Sequence, residues 1–262
     1  YAFLFHGFPD DATSFLPLME ILADNGFTTI APYMRGYGET ERPEPVPENY
    51  SIPNLVNDII SVINSFDTQD PLLVGHDWGS IASTSVCTLD PSAVGECVAI
   101  AVPPDFMESF ENYPTQALRS WYMTMFQIPG FAEETLRRDD FALIERLWRA
   151  WSPDWDYSDE RIEEVKETFR TGETVEASLQ YYRAFFDDFL SQPAGSMEIR
   201  GIEVPTLLMA GKNDGCITSA MYEGSGKCYD ARYNIEIVNG AGHFVHVEKP
   251  DVVGEKILEF IE

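Results

Sequence analysis

The stretch Pro71-Leu-Leu-Val-Gly-His-Asp-Trp-Gly-Ser80 decides the fold. Its first four residues are apolar and favour a buried strand, while the small residues after Gly79 can open a tightly packed helix. Glycines on both sides allow the chain to turn sharply between the two elements. Such a turn exposes the central side chain, Asp77, at the carboxyl end of the strand. The pattern predicts a nucleophile at Asp77, and its alternative is a plain turn whose aspartate caps the helix.

Two residues further along the chain favour the nucleophile. Asp214 follows the apolar run at residues 207–210, and His243 lies in Gly240-Ala-Gly-His243. A nucleophile, an acid and a histidine in this chain order are expected of a catalytic triad built on a strand-turn-helix nucleophile. We therefore expect Asp214 to orient His243, and His243 to activate a water molecule.

Short apolar runs alternate with helical patterns along most of the chain. Strands are predicted near residues 3–5, 28–31, 71–74, 97–102, 204–210 and 234–238. This alternation is typical of an α/β protein with a mostly parallel sheet. Between residues 104 and 198 the strand runs vanish and helical periodicity replaces them. We expect an α/β core formed by residues 1–103 and 199–262, interrupted by a helical cap at 104–198.

Charge and composition exclude several classes of partner. The 44 acidic and 17 basic residues give a formal net charge of -27, which repels nucleic acids and anionic membranes. No run approaches the ~20 apolar residues of a membrane span. The four cysteines lack zinc-type spacing and are expected to be free thiols, so a cytoplasmic location is expected. The chain begins at Tyr1 within a strand-like run, so we expect preceding residues, including any removed signal, to be missing.

Backbone amides near the nucleophile are expected to stabilise negative charge. The segment His6-Gly-Phe-Pro9 follows the first strand, and the N–H of Phe8 is expected to point at the pocket. The second amide is that of Trp78, the residue after the nucleophile. These two groups form the predicted oxyanion hole.

An aspartate in this position selects the reaction. A carboxylate is ionised near neutral pH, and its attack on an sp3 carbon makes an alkyl ester that water can cleave. Asp77 therefore favours epoxides or alkyl halides over esters as substrates. The predicted chemistry needs only a small apolar substrate and water, with neither a metal nor a cofactor.

Four segments together resemble the epoxide hydrolase family of α/β hydrolases. They are His6-Gly-Phe-Pro9, Arg35-Gly-Tyr-Gly38, Gly75-His-Asp-Trp-Gly79 and Gly240-Ala-Gly-His243. The resemblance covers nearly the whole chain and implies the α/β-hydrolase fold. It also implies an eight-stranded sheet, of which two N-terminal strands have no counterpart here.

The resemblance further implies two cap tyrosines that polarise the epoxide oxygen. The matching patterns are Ser120-Trp-Tyr122 and Gln180-Tyr-Tyr-Arg183, which select Tyr122 and Tyr182. Tyr181 competes with Tyr182, because adjacent helical residues point about 100° apart and one of them can face the pocket. Both tyrosines could also be ordinary buried aromatics of the cap.

Two other functions remain open from the sequence. A haloalkane dehalogenase would use the Trp78 indole as one halide donor and a second donor such as Trp121 or Trp148. A catalytically inactive binding protein of the same fold is the other alternative. For His6 and His76 we expect structural roles, and His246 is a less favoured base than His243.

Overall fold

The computed structural model describes residues 1–109, 112–191 and 199–262. Their strands are Ala2–Phe5 (β1), Thr29–Ile30 (β2), Leu72–His76 (β3), Glu96–Ile100 (β4), Thr206–Gly211 (β5) and Tyr233–Val238 (β6). They form one sheet in the order β2-β1-β3-β4-β5-β6, and every neighbouring pair is parallel. The predicted parallel α/β core is confirmed.

Helices cover both faces of this sheet. On one face α1 (Leu16–Asp24) packs beside α11 (Pro250–Ile261), and on the other α2 (Ile52–Asn64) packs beside α3 (Trp78–Leu89). Strands β1, β3 and β5 are buried along their whole length, which is why they read as continuous apolar runs in the sequence. Alternate side chains of β1, β3, β4 and β5 enter the two separate cores.

The described chain between β4 and β5 is helical and contains no strand. It forms α4 (Phe106–Ser109), α5 (Gln116–Arg119), α6 (Trp121–Met125), α7 (Phe131–Trp151), α8 (Asp159–Arg170) and α9 (Thr174–Ser191). Helix α7 is broken near its middle, where Asp139, Asp140 and Phe141 have positive φ angles. The predicted end of the cap, residue 198, lies outside the described residues.

The parallel arrangement brings four separate segments to one edge of the sheet. The loops after β1, β3, β5 and β6 all leave from the carboxyl ends of their strands, and α10 (Val245–Glu248) follows the last of these loops. In parallel sheets this edge is where ligands bind. Within the described residues, no helix is both long enough and apolar enough to cross a membrane.

Candidate active site

Asp77 lies at the turn between β3 and α3 in a strained backbone conformation. Its φ and ψ angles are 52° and -114°, a region that non-glycine residues occupy at a cost of about 1–3 kcal/mol. The turn is tight, because a Cβ atom at Gly79 would overlap the carbonyl oxygen of Phe5. The Asp77 side chain makes no capping hydrogen bond to α3. The alternative of a plain capping aspartate is therefore wrong.

One oxygen of the Asp77 carboxylate faces the loop after β1. The Phe8 N–H donates a 2.8 Å hydrogen bond to Asp77 Oδ1. A Cβ atom at Gly7 would collide with this oxygen and lie 2.7 Å from the Trp78 nitrogen, so only glycine lets the loop approach this closely. The two amides expected to form the oxyanion hole thus lie beside the same loop.

The other oxygen of Asp77 faces the histidine. His243 Nε2 lies 3.6 Å from Asp77 Oδ2, longer than a hydrogen bond, and His243 Nδ1 lies 2.9 Å from Asp214 Oδ2. The second oxygen of Asp214 accepts the Cys216 and Ile217 N–H groups at 2.6 and 2.9 Å. These amides fix the carboxylate, and Asp214 in turn fixes the imidazole.

Two carboxylates set the protonation of His243. Burial of the imidazole opposes its charged form, but the charge of Asp214, the hydrogen bond to it and the nearby Asp77 carboxylate outweigh this effect and raise the pKa of His243 to about 10. At neutral pH the site therefore holds an imidazolium between two carboxylates. Both nitrogens of an imidazolium carry a proton, so His243 can act as a base only after it has given one up.

Two cap tyrosines face Asp77 across a small cavity. Tyr122 of α6 and Tyr182 of α9 line this cavity of about 20 Å³ together with Asp77, Trp78 and apolar side chains. Burial raises the pKa of both phenols well above its ordinary value, so both are protonated at neutral pH. The Tyr182 hydroxyl makes no hydrogen bond of standard geometry with the described residues.

Tyr181 is hydrogen-bonded away from the cavity. Its hydroxyl donates a 2.7 Å hydrogen bond to the Arg35 carbonyl oxygen, and its side chain does not line the cavity with Asp77. The geometry therefore brings Tyr122 and Tyr182 to Asp77 and keeps Tyr181 away from it.

Comparison with known proteins agrees with this fold. Residues 3–250 match the model of a family described as alpha/beta hydrolase fold. The chain belongs to the α/β-hydrolase family. Epoxide hydrolase A of Mycobacterium tuberculosis is 28% identical over 98% of the chain and 89% of its own length. The AB hydrolase superfamily protein YfhM of Bacillus subtilis is 28% identical over 99% and 89%.

A solved structure gives the same result. The crystal structure of epoxide hydrolase A from Mycobacterium thermoresistibile superposes with a TM-score of 0.81 at 25% identity, over 99% of this chain and 90% of that one. The resemblance to epoxide hydrolases that the motifs indicate is confirmed by these relatives.

The other three histidines of this α/β hydrolase are completely buried. His6 Nε2 accepts the Met34 N–H at 3.0 Å, and His76 Nε2 lies 3.1 Å from the carbonyl oxygen of His243. His246 Nε2 lies 3.6 Å from Asp10 Oδ2. We infer structural roles for His6 and His76, as the sequence analysis expects, and for His246, which the sequence analysis considered as a less favoured base.

Sequence reasoning missed one residue that contacts the site. The Sγ atom of Cys216 lies 3.4 Å from the Tyr122 hydroxyl, and both groups are buried. The sequence analysis treated this cysteine only as one of four free thiols. Its position two residues after Asp214 was the one available signal.

Neither tryptophan considered as a second halide donor reaches Asp77. The Trp148 Nε1–H donates a 2.7 Å hydrogen bond to the Pro9 carbonyl oxygen. Trp121 is 45% exposed and does not line the cavity that contains Asp77. Trp78 does line it.

Proposed function

We propose that this α/β hydrolase converts an epoxide and water to a vicinal diol through an alkyl ester of Asp77. The observation that carries the proposal is the pair of protonated phenols, Tyr122 and Tyr182, which line one cavity with Asp77. The carboxylate of Asp77 also lies beside His243. In this proposal residues 104–198 form the cap that supplies the phenols, and the remainder forms the core.

In the first step a carboxylate oxygen of Asp77 attacks a ring carbon. The bond between that carbon and the ring oxygen breaks, and its electron pair remains on the oxygen. The oxygen then takes a proton from Tyr122 or Tyr182, because an alkoxide is a poor leaving group without one. The products of this step are a hydroxyalkyl ester and a tyrosinate.

Loss of the Asp77 charge prepares the second step. An ester carries no negative charge, so one of the two groups that raise the pKa of His243 disappears. The imidazolium then gives up its proton, which restores the tyrosine. His243 becomes a neutral base only when there is an ester to hydrolyse.

In the second step water attacks the ester carbonyl and gives a proton to His243. The oxyanion that forms derives from Asp77, where the Phe8 N–H already donates to Oδ1. Collapse of the intermediate breaks the ester bond, and the departing alkoxide takes the proton of the new carboxylic acid. The site returns to a carboxylate, an imidazolium and two phenols.

The same groups argue against a haloalkane dehalogenase. A halide leaves as a stable anion and needs N–H donors, whereas an epoxide oxygen needs a proton. The two phenols near Asp77 supply protons, and Trp148 is bound to Pro9 instead of facing the cavity.

An assay with racemic styrene oxide beside 1-bromobutane separates the alternatives. Formation of diol supports the proposal, and release of bromide supports the dehalogenase. The absence of both products supports an inactive binding protein.

The ester intermediate is testable with His243→Gln. We expect this variant to form the ester, since a carboxylate needs no base to attack, and to stall before hydrolysis. Intact-protein mass spectrometry after mixing with styrene oxide should show one added substrate mass, and peptide mapping should locate it on Asp77.

The matched control is the double variant Asp77→Ala/His243→Gln. This control carries the same substitution of His243 and in addition lacks the nucleophile, so it should remain unmodified. Absence of the adduct in His243→Gln, while the wild-type protein produces diol, would show direct attack of water on the ring and overturn the two-step mechanism.

A further inference from the structure

The cavity against Asp77 is too small for a substituted epoxide. Its volume of about 20 Å³ is enough for about one water molecule. A second cavity of about 320 Å³, in the range of small-molecule sites, lies next to it. Met123 and Phe185 line both cavities. The two spaces are therefore neighbours that share a wall.

The shared wall belongs to the same two helices as the phenols. Met123 follows Tyr122 on α6, and Phe185 lies three residues after Tyr182 on α9, so Tyr182 and Phe185 share one helix face. Both wall residues are less than 10% exposed. An epoxide held by the phenols therefore has this wall among the apolar side chains that surround its substituent.

The methionine makes this wall adaptable. Its unbranched thioether side chain has three rotatable bonds and fills irregular gaps in several conformations. A rotamer change at Met123 alters the space on both sides at once, because the side chain lines both cavities.

The chemistry of the larger cavity indicates what fits in it. Three phenylalanines of α9 and two methionines contribute to its lining, and none of its described lining residues is charged. The polar lining groups are Ser120 and Thr124, and Gln116 Nε2 already donates to the Ser120 hydroxyl at 3.1 Å. Although the protein has a net charge of -27, this cavity selects against charged groups.

We propose that the substrate is an epoxide with an extended, uncharged apolar substituent that displaces Met123 and Phe185 and occupies the larger cavity. This inference rests on the proposed function and names the substrate class of the same site. Met123 and Phe185 are then specificity-determining residues, and the reaction that supplies the substrate is oxidation of an alkene that carries a long apolar substituent.

The test compares 1,2-epoxybutane with 1,2-epoxyoctane. Burial of each CH₂ group contributes up to about fourfold to kcat/KM, so we expect the longer epoxide to be favoured by at least about tenfold. Ala117→Phe and Thr124→Phe place bulk in the larger cavity from exposed positions, and each should reduce this ratio to nearly one. Both epoxides are measured with the same protein sample, so a loss of folded enzyme does not change the ratio of their kcat/KM values.

The matched control is Leu118→Phe. Leu118 follows Ala117 on α5 and is 77% exposed, but it does not line the cavity, so the ratio should stay at the wild-type value. Equal turnover of the two epoxides by the wild-type protein, or an unchanged ratio in both filling variants, would overturn the inference and leave the proposed function intact. Turnover of neither epoxide by the wild-type protein would overturn both.

Discussion

Tyr181 and Tyr182 are adjacent in the chain, yet their hydroxyls have different surroundings. Tyr181 donates to the Arg35 carbonyl oxygen, whereas the Tyr182 hydroxyl has no hydrogen-bond partner of standard geometry among the described residues. Both are buried, so exposure does not distinguish them. A buried hydroxyl without a well-aligned partner costs free energy, which is expected where a substrate atom completes the hydrogen bond.

The two tyrosines give a matched pair of variants. Tyr182→Phe should slow formation of the Asp77 ester by up to ~10²-fold, because it removes a positioned acid. Tyr181→Phe should leave that rate nearly unchanged and lower the free energy of unfolding by about 1 kcal/mol, the net value of one hydrogen bond. Rapid-mixing kinetics with an epoxide and urea unfolding measure the two effects. The reverse pattern would assign the acid to Tyr181.

At the level of the elements, α8 is joined to the loop after β1 by a buried charge cluster. Arg161 donates to Thr13 Oγ1 at 2.7 Å and lies 3.3 and 3.4 Å from the carboxylates of Asp10 and Asp11. Both aspartates are almost completely buried. Because this loop also carries Phe8, the cluster joins the helical segment to one amide of the site.

Arg161→Ala should be strongly destabilising. It leaves two buried carboxylates without their cation, and breaking a buried ion pair costs about 3–5 kcal/mol. The matched control is Arg170→Ala on the same helix, whose partners Asp140, Glu163 and Glu167 are exposed. Solvent screens those pairs, so Arg170→Ala should lower the free energy of unfolding much less. Chemical denaturation measures the free energy of unfolding of both variants, and equal decreases would contradict a structural role for the buried cluster.

For the whole molecule, the net charge of -27 opposes the compact state through self-repulsion. Salt reduces this repulsion, and the Debye length falls from about 30 Å at about 0.01 M to about 8 Å at about 0.15 M. We expect Tm at pH 7 to rise mainly within this range and to change little above it. Thermal unfolding in a NaCl series measures the effect. A Tm that is unchanged up to about 0.15 M would show that repulsion is unimportant.

The sequence by itself determined the sheet and singled out three residues, Asp77, Asp214 and His243, that the structure brings together at one edge of it. Buried parallel strands such as β3 must be apolar along their length, and a sharp turn with Asp77 at its tip needs glycines close by, so both leave local signals. The order of Asp77, Asp214 and His243 along the chain is likewise visible without coordinates. The β-strand and helix predictions agree with the structure because these signals are short-range.

Tertiary structure alone decided which side chains meet across distant segments. The choice between Tyr181 and Tyr182 depends on how α9 is rotated about its own axis. The sequence around these two adjacent aromatic residues does not fix that rotation. The contact between Cys216 and Tyr122, the burial of Asp10 beside Arg161 and the wall at Met123 each join residues from different elements. Such contacts follow from packing of whole helices on the core, for which a local pattern of apolar and polar residues carries no signal.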